Sequence, residues 1–223
     1  MRISLSLIFL LLVLTACQKK NDSVEPEDDN EYVFDLSGNK YKIVEIGNQT
    51  WMAENLKVSK FNDGTTINLL SSDDNWKSNA IYGGSCFYDN DPNNNNPYGR
   101  LYNRYAITDN RKIAPNGWHI PTNAEWDTLI SYLGGKSSAA GKLKETGFSH
   151  WKTPNAGASN STNFTSVPAG LRNTDGSFSS LGYSSCYWSA EGYVYILYND
   201  EDIVRTYIFS ERNGVSVRCI KNK

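Results

Sequence analysis

The residues able to do chemistry are few and scattered. Cysteine occurs at positions 17, 86, 186 and 219, and histidine at 119 and 150 alone. Beyond Cys17 the cysteines are odd in number, so one bridge and one free thiol is the simplest outcome where disulfides form. No spacing matches a C-x-x-C redox or zinc motif, and with only two histidines the sequence argues against a Cys/His metal site. Asp89, Asp91, Asn93 and Asn95 recur at every second position and offer the hard oxygen ligands calcium prefers. No glycine stands where an EF-hand loop needs one, so a solvated loop outweighs the calcium reading. His119 lies between Trp118 and Ile120, and the only nucleophile or carboxylate near it in sequence, Thr122 and Glu125, are wanted by a helix cap; a structural role is favoured over catalysis. His150 has no nameable partner, and Glu201 and Asp202 read as solvated turn residues. No catalytic residue is assigned, no cofactor is required, and calcium is the sole candidate ligand ion.

Lys and Arg number 22 against 24 Asp and Glu, for a net charge of −2. That balance argues against a nucleic-acid partner, which needs a clustered basic face. Residues 30–223 are long enough for one domain with a substantial core. The hydrophobic fraction is a modest 39%, but 13% aromatic residues compensate in part, because each ring buries a large area.

Residues 5–14 form an apolar run too short to stay across a bilayer, and Leu14-Thr15-Ala16-Cys17 closes it. This resembles the lipobox of bacterial lipoproteins. The resemblance implies a signal peptide over 1–16, cleavage before Cys17, acylation of that cysteine, and a membrane partner reached through lipid rather than a span. Residues 17–31 then read as the lipidated cysteine with a flexible acidic tether, having almost no apolar content. The acidic stretch is similar to signals that send Bacteroidetes lipoproteins to the cell surface, and Asp22-Ser23-Val24 is similar to an O-glycosylation sequon of that group. An outer-membrane lipoprotein, displayed at the cell surface, is the expected localisation.

The elements that must position the rest follow from pattern. Tyr32 to Met52 predicts a β-meander, with alternating apolar residues broken by Ser37-Gly38-Asn39-Lys40 and Gly47-Asn48 turns. Residues 71–79 and 89–97 predict polar loops. The clearest helix follows Pro121: Thr122 and Glu125 make a capping box, and Trp126, Leu129, Ile130 and Leu133 share one face until Gly134-Gly135. A second helix is expected from Ser138 to about Glu145. Strands return at Cys186 to Ser189, Tyr193 to Tyr198, Val204 to Phe209 and Val215 to Ile220, with a hairpin turn at Asn199 to Asp202. Strands, two helices, then strands predict an α+β domain over residues 32–223 with a mainly antiparallel sheet.

Five segments in order carry a family resemblance: Gly47 to Leu56 (GNQTWMAENL), Tyr98 to Ala106 (YGRLYNRYA), Gly117 to Trp126 (GWHIPTNAEW), Gly141 to Gly147 (GKLKETG) and Val215 to Cys219 (VSVRC). Over residues 32–221 the chain resembles the Fibrobacter succinogenes major paralogous domain, a family of secreted and lipid-anchored bacterial domains. The resemblance implies a C-type lectin-like fold related to the sulfatase-modifying-factor domain, and no activity. Two departures stand out: Ala114 where family members commonly have cysteine, and Arg104 where an aromatic residue is usual. With that partner missing, the resemblance favours a Cys186–Cys219 bridge, with Cys86 pairing to either as alternatives. The related formylglycine-generating enzymes hold copper on two cysteines near the chain end; Cys219 matches the second, but Gly214 stands at the first, which argues against that chemistry. Asp91-Pro92-Asn93 is similar to the carboxamide-Pro-Asn signature of sugar-binding lectins but precedes the helix that such a signature follows. The expected function is non-catalytic binding of an extracellular glycan or protein, ahead of a structural or accessory role in a surface assembly and of an enzyme of unknown chemistry.

Overall fold

The structure, a computed structural model, describes residues 31–78 and 81–223. The signal segment, Cys17, the Asp22-Ser23-Val24 sequon and all of the tether but Glu31 lie outside the described residues. Among the described residues thirteen strands run in chain order: β1 Tyr32–Phe34, β2 Lys40–Ile46, β3 Gln49–Met52, β4 Asn68–Leu69, β5 Gly84–Cys86, β6 Leu101–Tyr102, β7 Trp118–His119, β8 Ala169–Arg172, β9 Phe178–Leu181, β10 Ser184–Trp188, β11 Tyr193–Tyr198, β12 Val204–Ile208 and β13 Ile220–Lys221. The helices are α1 Asp73–Ser78, α2 Asn95–Tyr98, α3 Arg104–Ile107, α4 Asn123–Tyr132 and α5 Lys136–Leu143. Among the described residues no helix is long and apolar enough to cross a membrane.

The meander forms as its alternation predicts, with Val44 opposite Trp51 and Gly47 supplying the positive φ of 64° in the β2–β3 turn. It is extended by the end of the chain: β13 pairs antiparallel with β3 and with β7, giving the order β1-β2-β3-β13-β7. A second sheet has the order β12-β11-β10-β8-β9, antiparallel except for the Ser185–Gly170 contact of β10 with β8. A small third sheet joins β4, β5 and β6.

The central strands of the second sheet, β10 and β11, are buried on both faces, and their period of two sorts the side chains. Cys186, Trp188, Val194 and Ile196 enter one core with Val215, Val217 and Cys219. Tyr187, Tyr195 and Leu197 face the other way, onto Trp126 and Leu129 of α4 and Leu143 of α5. There the Trp126 ring stacks on Tyr195 at 5.0 Å and tilts against Trp51 at 4.9 Å, tying helix to both sheets. The cap of α4 is as predicted: Thr122 Oγ1 accepts from Glu125 N at 3.2 Å and Glu125 Oε2 accepts from Thr122 N at 2.8 Å.

Four segments differ from expectation. Residues 73–78 form a helix rather than a loop, because Trp76 inserts into a small core and Ser72 Oγ accepts from Asn75 N. The 89–97 stretch winds into short 3-10 turns at Tyr88–Asn90 and Pro92–Asn94 before α2. The hairpin of β8 and β9 was unforeseen. Residues 215–219 are not a continuous strand; Val215 and Ser216 make isolated bridges to Tyr102 and Tyr187, and only Ile220 joins a ladder.

Candidate functional site

A cavity of about 340 Å³ opens between α3, β7 and the chain end, with Ile107, Ile113 and Trp118 as apolar walls and His119, Thr122 and Asn222 at its polar rim. The capped start of α4 fixes that rim. His119 Nδ1 lies 2.7 Å from Asn222 Oδ1, and Nε2 lies 2.9 Å from both oxygens of Glu125. The imidazole thus bridges the chain end to the helix cap with both nitrogens engaged, an anchoring role as the sequence favours. Burial alone would raise the Glu125 carboxyl, but the Thr122 N–H, the His119 ring and the Thr122 hydroxyl outweigh it and hold it below the usual range. The sequence assigned Glu125 to the cap; the structure adds the histidine.

A second cavity, of about 190 Å³, is lined by Glu54, Asn55, Asn96, Glu145, His150 and Arg218 among others. His150 Nδ1 lies 2.8 Å from Glu145 Oε2, and its ring meets Tyr98 edge-on at 5.6 Å. Arg218 of the same lining is fully buried, with no ion pair among the described residues. Its Nη1 donates to Phe164 O and its Nη2 to Asn55 Oδ1 at 2.7 Å, while the guanidinium lies over the Phe164 ring at 4.2 Å. Asn55 in turn donates to Tyr98 O at 2.9 Å. Three of the five family-like segments supply lining residues, and a fourth contributes Tyr98. Sequence reasoning missed this grouping: Glu145 and His150 stand in irregular chain, where spacing predicts no facing, and Arg218 comes from the far end.

The calcium candidates are placed as follows. Asp91 Oδ1 accepts from both N and Nδ2 of Asn93 at 2.9 Å, an Asx turn that caps the second 3-10 turn. Asp89 is exposed at a φ of 53°, and Asn95 Oδ1 is buried without a partner. Among the described residues no three His, Cys, Asp or Glu side chains group as a metal site. Glu201 and Asp202 are not simply solvated, contrary to expectation: Glu201 pairs with Arg205 at 2.8 Å, and Asp202 accepts from Gly141 N.

Cys86, Cys186 and Cys219 are free, buried thiols, so the expected Cys186–Cys219 bridge is absent. Both occupy one apolar core, but each is packed as a small apolar side chain. Burial pushes the Cys86 and Cys186 thiols up to about 12 and raises Cys219 further, which keeps all three protonated and unreactive. Gly214 has no room for a cysteine: a Cβ there would lie 2.9 Å from the Trp76 ring and 3.0 Å from Arg172 Cβ. Arg104, expected to alter the surface, bonds Glu191 O at 3.0 Å and pairs with Glu211 at 3.4 Å.

An α+β domain of mainly antiparallel sheets, closed by its own C-terminal strand and carrying two polar-rimmed cavities, is the class of protein these features define. Residues 44–221 match the family model of the Fibrobacter succinogenes major domain, and the chain belongs to that family. No curated protein and no solved structure matches it.

Proposed function

We propose that the chain is a surface-anchored lipoprotein whose lectin-like domain binds an extracellular glycan or protein in the larger cavity, without catalysis. The observation that carries this reading is the roughly 340 Å³ cavity, which joins the Trp118 wall to a rim whose hydrogen-bonding groups are held in place. An apolar wall with a few oriented polar groups suits a ligand that has one apolar face and polar edges. The non-catalytic reading is supported at this cavity by the shared carboxylate: His119 Nε2 and the Thr122 hydroxyl each lie 2.9 Å from Glu125 and bond to it rather than to one another. The apolar run ending in Cys17 supports the lipid anchor and the outer-membrane surface location. The pairing of β3 with β13, which closes the domain with its own chain end, supports the lectin-like arrangement.

A role as accessory subunit of a surface assembly is the second reading. It is favoured by β12, an edge strand on which Tyr207 is 46% and Ile208 75% exposed. The experiment is a screen of the full chain in detergent against polysaccharides and extracted surface proteins, with Asn222→Ala alongside. Saturable binding to one class, weakened at least tenfold by the variant, is expected. Binding indifferent to Asn222 moves the site elsewhere.

A further inference from the structure

Lys144 caps the C-terminal end of α5, and its side chain runs inward: the residue is fully buried. Its Nζ donates to three main-chain carbonyls, Ala156 O at 2.6 Å, Glu201 O at 2.9 Å and Tyr198 O at 3.0 Å. Three acceptors call for three N–H groups, which the ammonium has and the neutral amine lacks. Burial pushes the group down to about 8, against the pull of the Asp202 and Asp200 carboxylates, which still leaves it charged at neutral pH. A buried charge is ordinarily held by an opposite charge. This one is held by carbonyl dipoles, with the Trp151 ring centroid 5.5 Å away.

We propose that these three carbonyls form a monovalent-cation site, which the chain fills with its own ammonium. Two separate stretches supply the oxygens: Ala156 stands in the loop after the second helix, and Tyr198 and Glu201 flank the β11–β12 turn. The stretches also bond directly, Ala156 N donating to Asn199 O at 2.7 Å and Asn199 Nδ2 to Thr153 O at 2.9 Å. Carbonyls converging on one buried point need a donor or a cation between them. Lys144 meets that need and ties both stretches to the end of α5. The oxygens also select the ion: neutral carbonyls suit ammonium or potassium, whereas calcium takes roughly six to eight oxygens with carboxylates among them. Lys144 lines neither cavity, so the site does not depend on the proposed binding function.

The test is thermal unfolding of the full chain in detergent, with Lys144→Ala, which empties the site, and Lys144→Met, which fills it without a charge. Both variants are expected to lower the midpoint by about 5 °C or more. Ammonium or potassium chloride should restore at least half of that loss in Lys144→Ala, saturably, over tetramethylammonium chloride at equal ionic strength, and should not restore Lys144→Met. If Lys144→Ala does not fold in buffer alone, its refolding yield in ammonium against tetramethylammonium chloride reads the same rescue. In the unaltered chain at pH 7, the lysine side-chain nitrogen shifts should show an exchange-protected ammonium that Lys144→Met removes. A neutral amine there, an unchanged midpoint in Lys144→Ala, equal rescue by tetramethylammonium, or stronger rescue by calcium chloride overturns the proposal.

Discussion

Glu125 closes the cap of α4 and also receives His119, so one carboxylate joins the helix start to the chain end. Its native pKa lies below the ordinary value of about 4.5, so the unfolded state binds more protons in that window and stability rises with pH through it. The contribution is complete above about pH 4.5 and disappears as pH falls through the native value. Glu125→Gln is expected to cost about 1 kcal/mol at neutral pH and to flatten the acid limb of the stability curve, read by denaturant unfolding from about pH 6 to pH 3. At the same scale, the three buried cysteines should ignore a thiol reagent in the native state and all three should react after unfolding without reductant. A single reactive thiol among them would restore the bridge. Spacing could not decide this, because sharing a core does not require the geometry that a disulfide needs.

Among the elements, those with a sustained period were legible before the structure. α4 declared its capping box and apolar face, and β11 its bounds, because burial on both sides of the second sheet demanded apolar residues at nearly every position. The 215–219 segment is more instructive. Its alternation correctly placed Val215, Val217 and Cys219 in one core, yet the ladder is missing, since periodicity reports which face a side chain takes and not where the backbone hydrogen bonds go. α1 gave no signal: one tryptophan in a polar stretch has no period. Trp76 nevertheless anchors it, packing with Leu70, Leu101 and Tyr88 while its ring lies 4.6 Å from the buried Arg172 guanidinium. Trp76→Ala should cost about 3–5 kcal/mol in chemical unfolding and expose Arg172 on its ring-bearing side. A loss under 1 kcal/mol would show α1 to be dispensable.

For the whole molecule, the α+β order was readable because strands, helices and strands follow one another in blocks. The joining of β13 to β3 and β7 was not, since it depends on contacts between residues far apart in the chain. The sites divide along the same line. Trp118, His119 and Thr122 lie close in sequence and could be weighed in advance, whereas Asn222 reaches the rim from the last strand. The 190 Å³ cavity draws Glu54, the neighbouring Glu145 and His150, and Arg218 from three separate regions, which no single stretch of sequence could signal. The proposed binding function rests on the larger cavity, and the most direct test is the dissociation constant of the full chain, its Asn222→Ala variant and its Trp118→Ala variant for whichever ligand class the screen selects. Affinity reduced at least tenfold in both, with unfolding curves showing each variant folded, is the predicted result. Unchanged affinity in both folded variants would contradict the account.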